Sequence, residues 1–466
     1  MSTDDPGAVG RRRARAGLRY RRSVVATIGV LAIATTGLGV AGLFRGPHLD
    51  DAAVADATAL ERTGQRLVLR ADQAIDPVDA ADVTITPDVP IEVTSDARTI
   101  TVRFTGMLRA LTDYDISAAV TGSATGVSGT LDFAFTTPDL EVAVLVRDPD
   151  GRDQVRRRAV SGADGVTLFT ADRIQEFAVA RDGIAAVLLD ESGADGRLVL
   201  APTGEGVELD IPLPGTGRLQ KLRASPTTGL IGVLFSPNDP DEVMSQLLVF
   251  DPRDPSALVR PVTGLDGDVA SVLDWRIVPG TGYLVVQTFD EALLLVDTAD
   301  LSAPPLPLGE HAELRGFLPG TLELVVADPL SGSTIDLETG ETTTLVLPDD
   351  GLDPSAYPGK VVALGGDRYV EIVSSPGPDF VLDYEILLVG PDGVDVVYDP
   401  DPGVPVRDVC LSTNAQYLAV EVQDPEGELD GYPNVSGRSG STTYFVDLET
   451  GSANRGIAGF AASWCD

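Results

Sequence analysis

The stretch Tyr283-Leu284-Val285-Val286, followed after a loop by Ala292-Leu293-Leu294-Leu295-Val296-Asp297, is one of several similar pairs of apolar runs along the chain. The second run of each pair leads into an acidic turn. The pentapeptide Asp-Leu-Glu-Thr-Gly occurs at this place twice, at 336–340 and 447–451. The second runs start at residues 197, 246, 292, 333, 385 and 443, which are 41 to 58 residues apart. Such a period predicts one supersecondary unit per repeat.

The first runs of the pairs start near residues 184, 230, 283, 322, 369 and 417. About four strands per repeat at this period predict the blades of a β-propeller over residues 140–466. A blade buries both faces against its neighbours, which explains runs that are continuously apolar. The flanking residues 140–171 and 457–464 are expected to form one composite blade, so seven blades are favoured over six. The repeat resembles WD40-like and TolB-like propeller repeats, and this resemblance implies an architecture without a particular task.

Residues 50–139 predict a separate β-sandwich. Its candidate strands are Arg66–Arg70, Asp82–Thr86, Ile91–Thr94, Thr99–Phe104, Tyr114–Ala119 and Thr130–Thr136. Ile100, Val102 and Phe104 alternate with polar residues and should share one buried face. The runs Leu111-Thr112-Asp113-Tyr114-Asp115-Ile116 and Phe133-Ala134-Phe135-Thr136-Thr137-Pro138 resemble the bacterial Ig-like domains first noted in S-layer proteins. That resemblance implies a spacer or stalk, and the whole chain after the anchor is expected to be all-β.

The N-terminus predicts a membrane anchor. Seven arginines lie between residues 11 and 22, in a basic tail (1–22) that precedes the uncharged run 23–44. About twenty apolar residues span a bilayer as a helix, and a flanking arginine cluster stays cytoplasmic. We therefore expect a single-pass protein of the cell membrane with its N-terminus inside and the bulk of the chain extracytoplasmic. A cleaved signal peptide and a buried core helix are the alternatives, and the length of the run and the absence of an A-x-A pattern at its end favour the anchor.

Composition excludes several functional classes. The 466 residues carry a net charge of −37, which argues against nucleic-acid binding because phosphate contacts need clustered Lys and Arg. Two His and two Cys exclude a zinc-finger array and any site that needs three histidines. The chain's only lysines, Lys221 and Lys360, are interpreted as codon bias. The tripeptide Arg156-Arg157-Arg158 is interpreted as a solvated edge strand rather than an anion site.

The two cysteines, Cys410 and Cys465, lie outside the membrane in the predicted topology, where disulfides persist. Cys410 falls in the first strand of the sixth repeat, and Cys465 follows the first strand proposed for the composite blade. Those strands would be neighbours around the hub of the ring. We therefore predict a disulfide that pins the C-terminal strand, with two unpaired thiols as the alternative.

Catalytic and metal sites are not predicted. The segments Asp148–Asp153, Asn238–Glu242 and Asp424–Glu428 resemble fragments of calcium loops, but each lacks ligands at later positions. A serine nucleophile needs a base, and His48 and His311 lie beside the anchor and in a loop between repeats. No G-x-S-x-G elbow occurs. We expect no catalytic residue, no metal and no cofactor.

The expected function is therefore non-catalytic binding of a protein, a peptide or a glycan at the cell surface, with the propeller carried on an Ig-like stalk. The alternatives are an extracytoplasmic propeller hydrolase or lyase, and a structural component of the cell envelope. A deep pocket with converging carboxylates or with His311 would favour an enzyme.

Overall fold

The chain forms two compact units. The computed structural model describes residues 27–28, 45–54, 60, 63–148, 151–162, 165–203, 206–253, 259–348, 351, 354–377 and 381–465. The smaller unit comprises Met1–Asp56, Gly64–Gly106 and Asp113–Thr136. The larger unit comprises Ala57–Thr63, Met107–Thr112 and Thr137–Asp466, so two short segments from early in the sequence belong to it.

Seven strands and one 3-10 turn, Ala80–Asp82, make up the described part of the smaller unit. The strands are β1 (Leu49–Val54), β2 (Arg66–Ala71), β3 (Val83–Thr86), β4 (Ile91–Asp96), β5 (Thr99–Phe104), β6 (Asp113–Thr121) and β7 (Ser128–Thr136). They form two antiparallel sheets with the orders β1-β2-β5-β4 and β3-β6-β7.

The two sheets of the smaller unit enclose one apolar core. Ile100, Val102 and Phe104 are fully buried, which confirms the face predicted from their alternation. The ring centroids of Phe104 on β5 and Phe135 on β7 lie 6.3 Å apart in an edge-to-face arrangement, so the core joins both sheets.

The larger unit contains 27 strands within the described residues. The first seven are β8 (Glu141–Val146), β9 (Asp153–Ala159), β10 (Val166–Ala171), β11 (Ile174–Ala180), β12 (Gly183–Leu189), β13 (Gly196–Pro202) and β14 (Leu209–Ile211). The next eight are β15 (Gly217–Ala224), β16 (Ile231–Pro237), β17 (Gln246–Phe250), β18 (Arg260–Pro261), β19 (Val272–Ile277), β20 (Tyr283–Thr288), β21 (Ala292–Asp297) and β22 (Leu306–Glu310). The last twelve are β23 (Glu313–Phe317), β24 (Glu323–Asp328), β25 (Ser331–Asp336), β26 (Thr342–Leu345), β27 (Tyr357–Gly365), β28 (Arg368–Pro376), β29 (Leu382–Gly390), β30 (Gly393–Tyr398), β31 (Val406–Leu411), β32 (Tyr417–Val422), β33 (Thr442–Asp447) and β34 (Ile457–Ala458).

These strands form antiparallel meanders that follow one another along the chain. Six are four-stranded: β11–β14, β15–β18, β19–β22, β23–β26, β27–β30 and β31–β34. All six predicted second runs fall in the third strand of a meander. The first strands of successive meanders contact each other, as β11 does β15, β15 does β19, β19 does β23, and β27 does β31. Meanders that meet through their first strands make a β-propeller, so the predicted architecture of the larger unit is confirmed.

Buried apolar side chains pack neighbouring meanders against each other face to face. One cluster joins Leu247 and Val249 of β17 to Trp275 of β19, and the Trp275 side chain is fully buried. Comparable clusters join the sheet β10-β9-β8 to β11–β14, β11–β14 to β15–β18, β19–β22 to β23–β26, and β27–β30 to β31–β34. This two-sided burial is the physical reason for the continuous apolar runs in the sequence.

The C-terminal residues complete two different sheets. Ile457–Ala458 is the fourth strand of the sixth meander, and Phe460 then pairs with Leu145 of β8. The Leu145 N–H donates to the Phe460 carbonyl at 2.8 Å, and the Phe460 N–H donates back at 3.0 Å. The prediction of one strand over 457–464 was wrong, because Gly459 takes a φ of +126° and redirects the chain between the two sheets.

The predicted transmembrane segment 23–44 lies outside the described residues except for Thr27 and Ile28, which are helical. Within the ranges that the structure covers, no helix has both the length and the apolar character needed to cross a bilayer.

The basic tripeptide Arg156–Arg158 lies in β9, the middle strand of the sheet β10-β9-β8. The interpretation as an edge strand was therefore wrong. Arg157 forms a surface ion pair with Glu141, 3.4 Å between Nη1 and Oε2.

Candidate functional site

A cavity of about 1350 Å³ lies at the hub of the larger unit. The first strands β15, β19, β23, β27 and β31 supply most of its wall, and Trp464 and Cys465 complete it. Both lysines of the chain, Lys221 and Lys360, line this one cavity. Their interpretation as codon bias missed a feature of the site, and the rarity of lysine was the sequence signal that could have revealed it.

The first strand of each of the six four-stranded meanders carries a register irregularity. In β23, for example, Leu314 pairs with Val326 and Gly316 pairs with Val325, which leaves Arg315 unpaired. A β-bulge of this kind re-aims a side chain relative to the regular strand. The residues left out of register are Gln175, Lys221 with Leu222, Leu273, Arg315, Gly359 with Lys360, and Arg407. Four of these six bulges contain a cationic residue, and three of those residues, Lys221, Arg315 and Lys360, line the cavity.

Asp274 is the centre of the charged wall. Nη1 of Arg276 lies 3.1 Å from each of its carboxylate oxygens, and Nη1 of Arg223 lies 3.2 Å from Oδ1. Nζ of Lys221 lies 3.2 Å from the same Oδ1 and donates to the Leu273 carbonyl at 2.7 Å. Burial by itself would raise the pKa of Asp274, but the three cations outweigh it and lower that pKa. One carboxylate thus faces three positive charges.

Glu176 lies behind this cluster on β11. Its carboxylate accepts a hydrogen bond from the Leu222 N–H at 2.8 Å. Desolvation raises its pKa to about 7, although that hydrogen bond and the charges of Arg223 and Lys221 oppose the shift. Near neutral pH, Glu176 therefore neutralises the neighbouring cations only in part.

Two further cations of the wall each pair with one carboxylate. Nε of Arg315 donates to Glu313 at 3.0 Å, and Nζ of Lys360 donates to Asp408 of the next first strand at 2.7 Å. The Lys360 side chain is 46% exposed, so it reaches the solvent-filled space.

The segment between β32 and β33, residues 423–441, crosses the hub and is here called the hub segment. Its Asn434 side chain donates to the Leu219 carbonyl of β15 at 3.1 Å. The guanidinium carbon of Arg147 lies 3.5 Å from the ring centroid of Tyr432, and Nη1 donates to the Val435 carbonyl at 2.7 Å. Arg147 also forms an ion pair with Asp430. These contacts tie the hub segment to strands of two other sheets.

A second buried charge pair lies where the chain ends. The Arg407 guanidinium bonds to Glu421, whose other oxygen accepts the Ala462 N–H at 2.7 Å. Burial raises the pKa of Glu421 against the opposing charge of Arg407. The pair holds the C-terminal residues against β31 and β32.

The predicted cysteines are joined. Cys410 on β31 and Cys465 form a disulfide with their Cα atoms 5.1 Å apart. Both residues border the cavity, so the covalent link forms part of its wall.

The histidine and acidic-loop candidates lie away from the cavity wall. Nδ1 of His311 is 3.0 Å from Asp328, whereas its neighbour Ala312 lines the cavity. Asp153 accepts the Ile174 N–H at 2.8 Å and a hydrogen bond from Tyr432, which is a structural role. Asp239 and Asp424 cap backbone N–H groups in their own turns. Among the residues that the structure covers, no group of three His, Cys, Asp or Glu side chains could hold a metal ion.

Comparison with known proteins gives structural likeness only. No family model matches the chain, and no curated protein matches it. A structure from a study of two prolyl endopeptidases is similar over 74% of this chain, with a TM-score of 0.47 and 12% identity. The match covers 48% of that endopeptidase chain, so this chain spans about half its length.

Two smaller propeller-sized proteins give weaker likenesses. The β-propeller domain of Cps50 (Swd1) from Myceliophteria thermophila has a TM-score of 0.38 and 12% identity, covering 62% of this chain and 87% of that one. Apo AztD from Citrobacter koseri has a TM-score of 0.39 and 14% identity, covering 69% of this chain and 81% of that one. Likeness at this level assigns no activity, and the fold stated above is derived from the strand order.

Proposed function

We propose that this chain is a non-catalytic binding protein that holds a small-molecule ligand in the hub cavity of its larger unit. The observation that carries the proposal is a cavity of about 1350 Å³ with five cationic side chains in its wall. Ligand pockets are typically concave spaces of about 300–1,000 Å³ with a few converging polar groups. His311 is not part of the cavity wall, and the first-strand carboxylates Asp274 and Glu313 are each paired with an arginine. Carboxylates that are neutralised by cations favour binding over the hydrolase or lyase alternative.

The proposal keeps seven blades for the larger unit. Six four-stranded meanders and the sheet β10-β9-β8 support that number, since residues 460–463 add an inner edge to β8. A composite blade that contains both ends of a propeller removes its open edges.

The proposal also gives the smaller unit an Ig-like fold and a spacer role. The support is the strand order: β1-β2-β5-β4 and β3-β6-β7 correspond to the A-B-E-D and C-F-G sheets of constant-type immunoglobulin domains. Anchoring through residues 23–44, with both units outside the membrane, rests on the uncharged run and on the arginines before it.

Ligand binding is tested by identifying the compounds that stay bound to the chain after desalting. The full chain in detergent is mixed with a deproteinised extract of bacterial cells, desalted, and denatured, and the released compounds are identified by mass spectrometry. Ala363→Trp, in the cavity wall on β27, should abolish retention of the specific compound. Thr343→Trp, on the exposed outer strand β26, is the matched control and should leave it unchanged. The proposal would be contradicted if the wild-type chain retained no compound, or if both variants retained the compound equally. Chemical conversion of the retained compound would favour an enzyme.

Anchoring is tested by fractionation of cells that express the full chain. The chain should stay with membranes after alkaline extraction, and protease added to spheroplasts should digest both units. Replacing Leu31 and Ile33 by Arg should release the chain from membranes, since central arginines oppose insertion. A wild-type chain found in the soluble fraction would exclude the anchor.

A further inference from the structure

Five basic residues lie in the wall of the hub cavity, although acidic residues outnumber basic ones in the chain as a whole. The chain carries 71 acidic against 34 basic residues, yet Lys221, Arg223, Arg276, Arg315 and Lys360 all line one cavity. They belong to four consecutive first strands, β15, β19, β23 and β27. A strongly acidic chain therefore places five cationic side chains on neighbouring strands around one cavity.

The hydrogen-bond donors of this wall outnumber their acceptors. Oδ1 of Asp274 alone receives contacts from Lys221, Arg223, Arg276 and the Trp275 N–H. An arginine has five donor hydrogens and a lysine three. Arg276 directs Nη1 at Asp274 and at the Trp275 carbonyl, which leaves Nε and Nη2 without an acceptor among the described residues. The surplus donors can be satisfied by an anion in the cavity.

Lys221 is held in an unfavourable backbone conformation. Lys221 has a φ of +52°, in the left-handed region that non-glycine residues rarely adopt. The indole N–H of the fully buried Trp275 donates to the Lys221 carbonyl at 3.1 Å and fixes this bulge. Strained positions that the surrounding structure maintains occur preferentially at functional sites.

Acidic side chains also line the cavity, but they lie elsewhere on its wall. Glu323, Asp336 and Glu338 belong to the second and third strands of one meander and to the turn that follows. Among the first strands, Asp274 and Glu313 are the described acids of the wall, and each has a cationic partner. The positive charge is therefore segregated on the side formed by β15, β19, β23 and β27.

We propose that the hub cavity binds a small polyanion, a molecule with at least two carboxylate or phosphate groups, across the cations of β15, β19, β23 and β27. One acidic group is bound by Lys221 and Arg276, and a second by Arg315 and Lys360. Arginine pairs with both kinds of anion through planar, charge-assisted hydrogen bonds. This inference rests on the proposed binding function and names its ligand class.

The test is calorimetric titration of the full chain in detergent with citrate and, separately, with inorganic pyrophosphate, in a buffer without carboxylate or phosphate. Trp464 lines the cavity, whereas Trp275 is fully buried. A change in Trp464 fluorescence on binding therefore gives a second readout. Saturable binding of either anion is expected, and the stronger one identifies the acidic group. Lys221→Gln and Lys360→Gln should each weaken binding by about tenfold. Arg197→Gln, which removes an exposed cation paired with Asp210, is the matched control and should bind normally.

The two lysine variants keep the test decisive if one of them folds poorly, because they lie on different strands. Lys221→Arg should restore the affinity that Lys221→Gln loses. No binding of either anion, or equal affinity in all variants, overturns the proposal. A neutral or cationic compound retained by the wild type and lost in Ala363→Trp would overturn the polyanion class and leave the binding function standing. Retention of no compound would overturn both.

Discussion

The ammonium nitrogen of Lys221 lies 3.2 Å from Oδ1 of Asp274, so the first strands of two neighbouring meanders are joined by an ion pair in the cavity wall. Arg223 and Arg276 bond to the same carboxylate. The Asp274 side chain is 15% exposed, and its charge is therefore the main local compensation for three cations.

Asp274→Asn should destabilise the chain by about 3 kcal/mol, because removing one member of a buried charge group leaves the others uncompensated. Urea unfolding at pH 7 measures the change. Asp210→Asn is the control, because Asp210 pairs with Arg197 at an exposed position where such pairs contribute little. Equal effects of the two substitutions would show that Asp274 has no special role at the hub.

Glu176→Gln should alter how stability depends on pH. The pKa of Glu176 is about 7 in the folded chain against an ordinary value of 4.5. Between these values the unfolded chain ionises first, so wild-type stability falls as pH rises from 4.5 through 7. The glutamine side chain of the variant still accepts a hydrogen bond from the Leu222 N–H. Because glutamine does not ionise, the variant does not lose this stability as the pH rises.

Glu176→Gln should therefore match the wild type near pH 4.5 and exceed it above pH 7 by about 3 kcal/mol at most. Thermal unfolding of both proteins from pH 4.5 to pH 8 measures the difference. Curves that stay parallel over this range would contradict the raised pKa.

Replacing Cys410 and Cys465 by alanine should lower the free energy of unfolding by about 4 kcal/mol. The disulfide links residues 55 positions apart, and its loss enlarges the unfolded ensemble. The same loss should follow when the wild type is treated with a reductant. Reductant should have no effect on the double variant, and an effect there would point to another cause.

Gly232→Ala should destabilise the chain by about 2 kcal/mol, because a Cβ atom at this position would lie 2.6 Å from Cη2 of the buried Trp275. Chemical denaturation measures the loss. Gly215→Ala is the control, since a Cβ there meets no atom within 4 Å. In a Trp275→Phe background the Gly232→Ala change should cost less, and an undiminished cost would exclude the ring as its cause.

The repeat could be predicted because burial on both faces leaves long apolar runs in the sequence. The third strands near 292 and 443 were placed within a residue of their observed starts for that reason. Strand β1, Leu49–Val54, was not predicted, since Asp50 and Asp51 interrupt its apolar pattern. The strand around Arg156–Arg158 was expected at a sheet edge because three arginines favour a solvated position, but β9 is the middle strand of its sheet.

The candidate site was harder to predict from the sequence. A bulge changes the direction of one side chain without changing the apolar period of the strand. The apolar pattern around Arg315 and Lys360 therefore does not reveal the bulges there. The convergence of Lys221 and Lys360 requires the ring itself, since 139 positions separate them. The disulfide was the exception, because the repeat in the sequence by itself places Cys410 and Cys465 near the hub.

The pairing of Phe460 with Leu145 also bears on how this protein is made. Synthesis proceeds from the N-terminus, so Leu145 of β8 is made 315 residues before its partner Phe460. Until then β8 exposes an unpaired backbone, which is a site for aggregation. A nascent chain must pass through this exposed stage, and a product truncated before residue 460 never leaves it. Synthesis through Phe460 is therefore the step that covers this edge of β8.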